Sequence, residues 1–150
     1  MHTPDTEPAP RSVPTPADLL GLAGTALGPT PATTIDADAV AAYGSSTGDP
    51  VAGPGATDVP PMLLLSLVNH FLPQLLVVER FSMGVNVGLA GVTFAPGCPP
   101  AGSPLVATGE VLEVEAKGDG AQVVVRVELH AGAADGPVVC AADTISRFMP

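Results

Sequence analysis

Residues 47–67 read TGDPVAGPGATDVPPMLLLSL, and the fold turns on where the loop in this stretch stops and the helix begins. Thr47, Gly48 and Asp49 make a turn, and residues 50–58, rich in Pro, Gly, Ala and Thr, read as loop. Asp58 is placed to cap a following helix. Pro60 and Pro61 suit its first turn, where a missing N–H costs nothing. Residues 61–72 are apolar nearly all round, which predicts a helix wrapped by other structure. Pro73 should kink or end that helix.

Upstream, TIDADAVAAYGSSTGD (34–49) predicts a shorter helix. Asp36 is a suitable N-cap, because its carboxylate can accept the free N–H groups of the first turn. Ile35 and Val40 form a hydrophobic staple. The helix should stop between residues 44 and 48. Residues 17–29 are a short apolar lead-in cut by glycines. Residues 1–16 are Pro-rich and polar and predict a disordered or extended tail, leaving 17–150 as a single domain.

Downstream the apolar period changes to two. GVNVGLAGVTFA (84–95), LVATGEVLEVEA (105–116), AQVVVRVELHA (121–131) and VVCAADTISRF (138–148) predict four consecutive antiparallel strands. In the third, Val123, Val125, Val127 and Leu129 share one face, and His130 falls on the other, polar face, where solvation is expected. A sheet with one apolar face must be covered, and the helix from residue 61 is the element able to cover it. The expected fold class is α+β, an antiparallel sheet wrapped around a central hydrophobic helix.

The 150 residues carry a net charge of −10 with five basic side chains. That balance argues against nucleic acid or an anionic membrane as a partner, since phosphate binding needs a cationic patch. Cys98 and Cys140 lie far apart without a CxxC or Cys/His cluster, so no disulfide framework, metal site or cofactor is expected. The N-terminus has no apolar signal-like region, and the apolar run MLLLSLVNHFLPQLLVV is interrupted by polar residues and shorter than a span of about 20 residues. A cytoplasmic protein is expected.

The segments TIDADAVAAYGSSTGD, MLLLSL, VNVGLAGVTFAPGCPPAGSPLVATGEVLEVE and AADTISRF, in that order, resemble the MaoC-like and nodulation-protein-N-like dehydratases of the hot-dog fold. The resemblance covers about residues 18–149. It implies a homodimer whose two sheets join side by side, with pockets near the interface. It also implies chemistry on acyl thioesters by an Asp, a His five residues later, and a backbone N–H from a Gly opening the central helix. Asp49 matches the Asp, but the position of the His is Pro54. The Gly falls on Pro61, which has no N–H to donate. Losing one oxyanion donor typically costs ~100- to 1000-fold, and losing the general base costs a comparable factor.

Asp49 can serve as a lone acid or base, or cap the Gly48 turn. His70 lies one turn after Ser66, so both can face a pocket, or His70 can be a hydrogen-bonded core residue; Asn69 is its neighbour. Asn86, an amide among Val and Gly, needs a partner, either a ligand or backbone. Met62, Leu65, Phe71, Met83 and Phe94 are expected in the core, where such residues can also line a ligand cavity. Since the proton-carrying groups are depleted, the chain is similar to dehydratase-like cyclases of bacterial polyketide pathways, including decalin macrolide pathways. The expected activity is cyclisation of a hydrophobic polyene by preorganisation, which supplies about 7–11 kcal/mol in the best intramolecular cases. The alternatives are a (de)hydratase of acyl thioesters with a rearranged site, or a non-catalytic subunit of a heteromeric hot-dog complex.

Overall fold

The period-two segments form four long strands, and the apolar stretch after residue 60 forms the long helix between them and the N-terminal part. In the computed structural model, which describes residues 8–150, the chain runs β1 (Arg11–Val13), a 3-10 helix (Pro16–Gly21), β2 (Ala26–Leu27), β3 (Thr33–Thr34) and α1 (Ala37–Thr47). A 3-10 turn (Pro50–Ala52), α2 (Pro61–Leu75) and β4 (Leu76–Val78) follow. The long strands are β5 (Met83–Phe94), β6 (Pro104–Lys117), β7 (Gly120–Ala131) and β8 (Val138–Met149). Their order in the main sheet is β2-β6-β7-β8-β5, with β3 also beside β6, and every pairing in it is antiparallel.

The sheet curves around α2, which packs against β6, β7 and β8. Leu64, Leu67, Val68, Phe71 and Leu75 form one buried stripe of α2. They meet Leu105, Val111, Val123, Val125, Val127 and Leu129 from the sheet, all fully buried. A fully buried Leu or Val side chain contributes roughly 1.5–3 kcal/mol relative to exposure, so this interface is a large part of the apolar stabilisation. No helix is long and apolar enough to cross a membrane among the described residues.

Several expectations are corrected. Of the tail expected as disordered or extended over 1–16, residues 1–7 lie outside the described residues, and residues 11–13 are extended as β1. β1 pairs parallel with β4, and Val13 enters the core. Ser12 donates to Glu79 at 2.8 Å, and Asp18 Oδ2 accepts from the Thr15 N–H at 2.9 Å and the Thr15 hydroxyl at 2.7 Å. Asp58 does not cap α2: its backbone forms a bridge with Pro100, and Pro60 occupies the N-cap position. Pro73 does not end α2, which continues to Leu75, because so near the C-terminus it costs only one hydrogen bond.

The helix is also not wrapped all round. Met62, Ser66, Asn69, His70 and Pro73 are exposed, because β5 stands off from α2 instead of closing over it. Met62, Met83 and Phe94 are 56%, 51% and 39% exposed and not core, whereas Phe71 is fully buried. His130, expected in solvent, is 7% exposed. The hairpin after β7 folds over it: Nδ1–H donates to the Gly136 carbonyl at 3.0 Å, and Nε2 accepts from Thr108 at 2.8 Å.

Candidate functional site

Asp49 is positioned by the end of α1. Gly48 adopts φ 70°, the left-handed conformation that closes the helix. The chain then folds back so tightly that a Cβ on Gly44 would collide with the Ala52 carbonyl. In that turn Asp49 Oδ1 accepts from the Val51 N–H at 3.0 Å, and Oδ2 accepts from the Tyr43 hydroxyl at 2.6 Å. Both bonds favour the carboxylate, and the Tyr43 bond, the larger cause, holds the Asp49 pKa below its ordinary value. The same bond raises the Tyr43 pKa, because ionised Tyr43 has no hydrogen to donate and faces a second negative charge. Of the two sequence readings of Asp49, the capping geometry is therefore present, now on the 3-10 turn.

The space left between α2 and β5 forms two adjoining grooves. The first, of about 320 Å³, lies between the N-terminal half of α2 and the middle of β5 and is lined by Met62, Leu65, Ser66, Asn69, Asn86 and Leu89, among others. The second, of about 350 Å³, runs along the C-terminal half of α2 and includes Leu72, Val78, Phe81, Val85, Ser146 and Phe148. Both fall within the size range of ordinary small-ligand pockets. Among the described residues, neither lining contains an Asp, Glu, His, Lys, Arg, Tyr or Cys.

Asn69 and Asn86 border both grooves and separate them. The Asn86 amide donates to Asn69 Oδ1 at 3.1 Å, and Ser146 donates to Asn86 Oδ1 at 3.1 Å. Asn86 thus bonds to side chains, where the sequence left a ligand or backbone partner open. Ser146 is a site residue that sequence reasoning missed. Its only signal was a hydroxyl at an inward-facing position of β8, which needs a partner.

The structure brings together Met62, Leu65, Ser66, Asn69 and Asn86 around the first groove. It leaves out four predicted residues. Met83 and Phe94 sit at the two ends of β5 and line neither groove. Asp49 lies in the α1 turn, outside both linings. His70 points from α2 toward β3, with Nε2 3.0 Å from Thr33 Oγ1, and packs edge-on against Phe71. A residue one step along a helix is turned by about 100°, which is why Asn69 faces β5 and His70 does not. Ser66 points back to the Leu63 carbonyl at 2.7 Å.

Chemically, the grooves can hold an apolar chain and offer it amide and hydroxyl groups, with no proton-transferring side chain in contact. At the start of α2, Pro61 has no N–H, and no side chain among the described residues caps the first turn.

No family model matches the chain. It is 31% identical over 147 residues to 3-hydroxyacyl-thioester dehydratase Z of Mycobacterium tuberculosis, covering 89% of this chain and 95% of that protein. Its fold is similar to a MaoC-like dehydratase from Rhodospirillum rubrum, with a TM-score of 0.69 and 14% identity, over 91% of this chain and 97% of that one. It is also similar to the HadBC (3R-hydroxyacyl-ACP dehydratase) complex from Mycobacterium tuberculosis, with a TM-score of 0.59 and 17% identity, over 84% of this chain and 96% of that one. At these identities the two structural likenesses show the fold, a hot dog with its sheet around the central helix.

Proposed function

The chain belongs to the MaoC-like hot-dog dehydratase family, and we propose that it acts on an acyl thioester whose acyl chain lies in the groove between α2 and β5. In this reading it interconverts 3-hydroxyacyl and 2-enoyl forms. Dehydration removes a proton from C2 and expels the C3 hydroxyl as water; Asp49, which lies outside both grooves, is the one proton-handling position that the resemblance retains, so this reading places the thioester end beyond the groove, toward the α1 turn. The observation that supports the reading is the apolar groove along α2, in a chain matched over nearly its whole length by a dehydratase. Proton transfer is most efficient with a pKa near the working pH. A carboxylate held low by Tyr43, with Pro54 where a second proton carrier would stand, should therefore turn over slowly.

The test follows loss of enoyl absorbance with 2-enoyl pantetheine thioesters of increasing chain length. Slow hydration abolished by Asp49→Asn is expected. No hydration by the unaltered protein at any chain length would overturn the reading.

A second reading is favoured by the absence of ionisable side chains from both linings. A pericyclic ring closure moves no proton, so a groove that folds a polyene polyketide chain into a reactive shape suffices for it. Here a linear polyene should yield a product of the same mass, at a rate insensitive to Asp49→Asn but reduced by Leu65→Trp.

A further inference from the structure

The two grooves meet at a polar bridge that apolar chain binding does not require. β8 supplies Ser146, β5 supplies Asn86 directly opposite it in register, and α2 supplies Asn69. β5 is irregular at this point: Asn86 pairs with Ser146 and Gly88 with Ile145, so Val87 is an extra residue. A bulge re-aims the neighbouring side chain, and here it accompanies the turn of Asn86 toward α2.

The hydrogen bonds run in one direction, from Ser146 to Asn86 to Asn69. Each bond polarises the next. They end on the Asn69 amide, whose two N–H groups have no protein partner among the described residues. Asn86 holds one more N–H free. Three amide hydrogens therefore remain where one groove passes into the other, flanked by Leu65, Leu89, Leu72 and Val85.

We propose that this bridge is a specificity-determining subsite for an oxygen substituent, a keto or hydroxyl group, carried partway along the acyl chain. The proposal rests on the reading that the groove holds an acyl chain, and it names the class of chain: an oxygenated, polyketide-like acyl group instead of a plain alkyl one. A plain methylene chain crossing the bridge would cover free amide hydrogens without replacing their water, which disfavours it. A carbonyl or hydroxyl at that point restores the bond. Asn69 lies seven residues along α2 from Met62, about 10 Å at the helix rise. With the thioester at the Met62 end, the oxygen that is read lies well beyond C3 and is distinct from the 3-hydroxyl.

The test uses thioether analogues of decanoyl-pantetheine that cannot react. One is plain, and the others carry a single keto oxygen moved stepwise along the chain. Calorimetric titration of the full chain should show one keto position binding about tenfold more tightly than the plain analogue, the scale of one well-placed hydrogen bond. Asn69→Leu and Ser146→Ala should each reduce that ratio to below about twofold, with circular dichroism confirming the fold. Asn69 is exposed and Ser146→Ala is nearly isosteric, so at least one variant keeps a readable ratio. A merely structural bridge would shift the melting temperature but leave the ratio unchanged. Equal affinity for all analogues, or a preference that survives both substitutions, overturns the proposal while leaving the acyl groove standing. Failure of every analogue to bind overturns both.

Discussion

The Tyr43 hydroxyl donates to Asp49 Oδ2 at 2.6 Å across one turn of chain, tying the last part of α1 to the loop that precedes α2. The bond uses one oxygen of the carboxylate proposed above to handle the proton. It is also the largest cause of the low Asp49 pKa and the high Tyr43 pKa.

Tyr43→Phe removes this donor, so the Asp49 pKa should rise toward its ordinary value of about 3.9. With a depressed folded-state pKa, the Asp49 contribution to stability is present above about pH 4 and is lost as pH falls through the folded value. The Tyr43 contribution has the opposite sense: it is present below about pH 10 and is lost as pH rises through the raised folded value. A carboxyl NMR titration and unfolding curves across pH check both. An Asp49 pKa unchanged in Tyr43→Phe would show that the Val51 N–H alone sets it.

Cys140 is fully buried, and burial pushes its thiol pKa up to about 11, while Cys98 is partly exposed. Only the thiolate reacts readily. A thiol reagent at pH 8 should therefore modify one cysteine in the native protein, Cys98, and both after denaturation. Rapid native labelling of Cys140, read by peptide mass, would contradict the packing described.

Among the described residues β5 has no partner on one edge, and Met83, Val85, Val87 and Leu89 along it are about half exposed. Long apolar edges pair with other chains unless blocked. Two copies joined edge to edge should sediment as a dimer, and Val87→Lys should shift them toward monomer by placing charge on the contact. A monomeric unaltered protein would remove this expectation. Recovery only with a different hot-dog protein would replace the second copy by that partner.

Thr108 gives its hydroxyl hydrogen to buried His130. Thr108→Val keeps the shape and leaves Nε2 without a donor. The expected loss is about 1–3 kcal/mol, which for a chain of this length lowers the melting temperature by several degrees. An unchanged melting temperature would mean that water reaches the ring.

The local elements were legible because their causes lie within a few residues. The four long strands fall within one or two residues of their period-two segments. Asp36 caps α1 by accepting from Ala39 N–H, and Gly48 ends it. The prolines at 54 and 61 were equally plain, and a proline's missing N–H is a covalent fact. The resemblance in motif order supplied the hot-dog architecture, and the full-length match to a dehydratase agrees with it.

Contacts between distant segments were not legible. Asn69, Asn86 and Ser146 meet because β5 lies beside β8 in one register and α2 crosses above them. No periodicity encodes that sheet order. Likewise β1 finds β4 across more than sixty residues, although neither short segment carries a strand signal of its own. Sequence alone determined which segments become helix and strand and that prolines stand at 54 and 61, because propensity, capping and residue chemistry act locally. Tertiary structure alone decided that His70 turns away from β5, that His130 is buried, and that a polar bridge divides the groove, because those outcomes depend on which surfaces pack together.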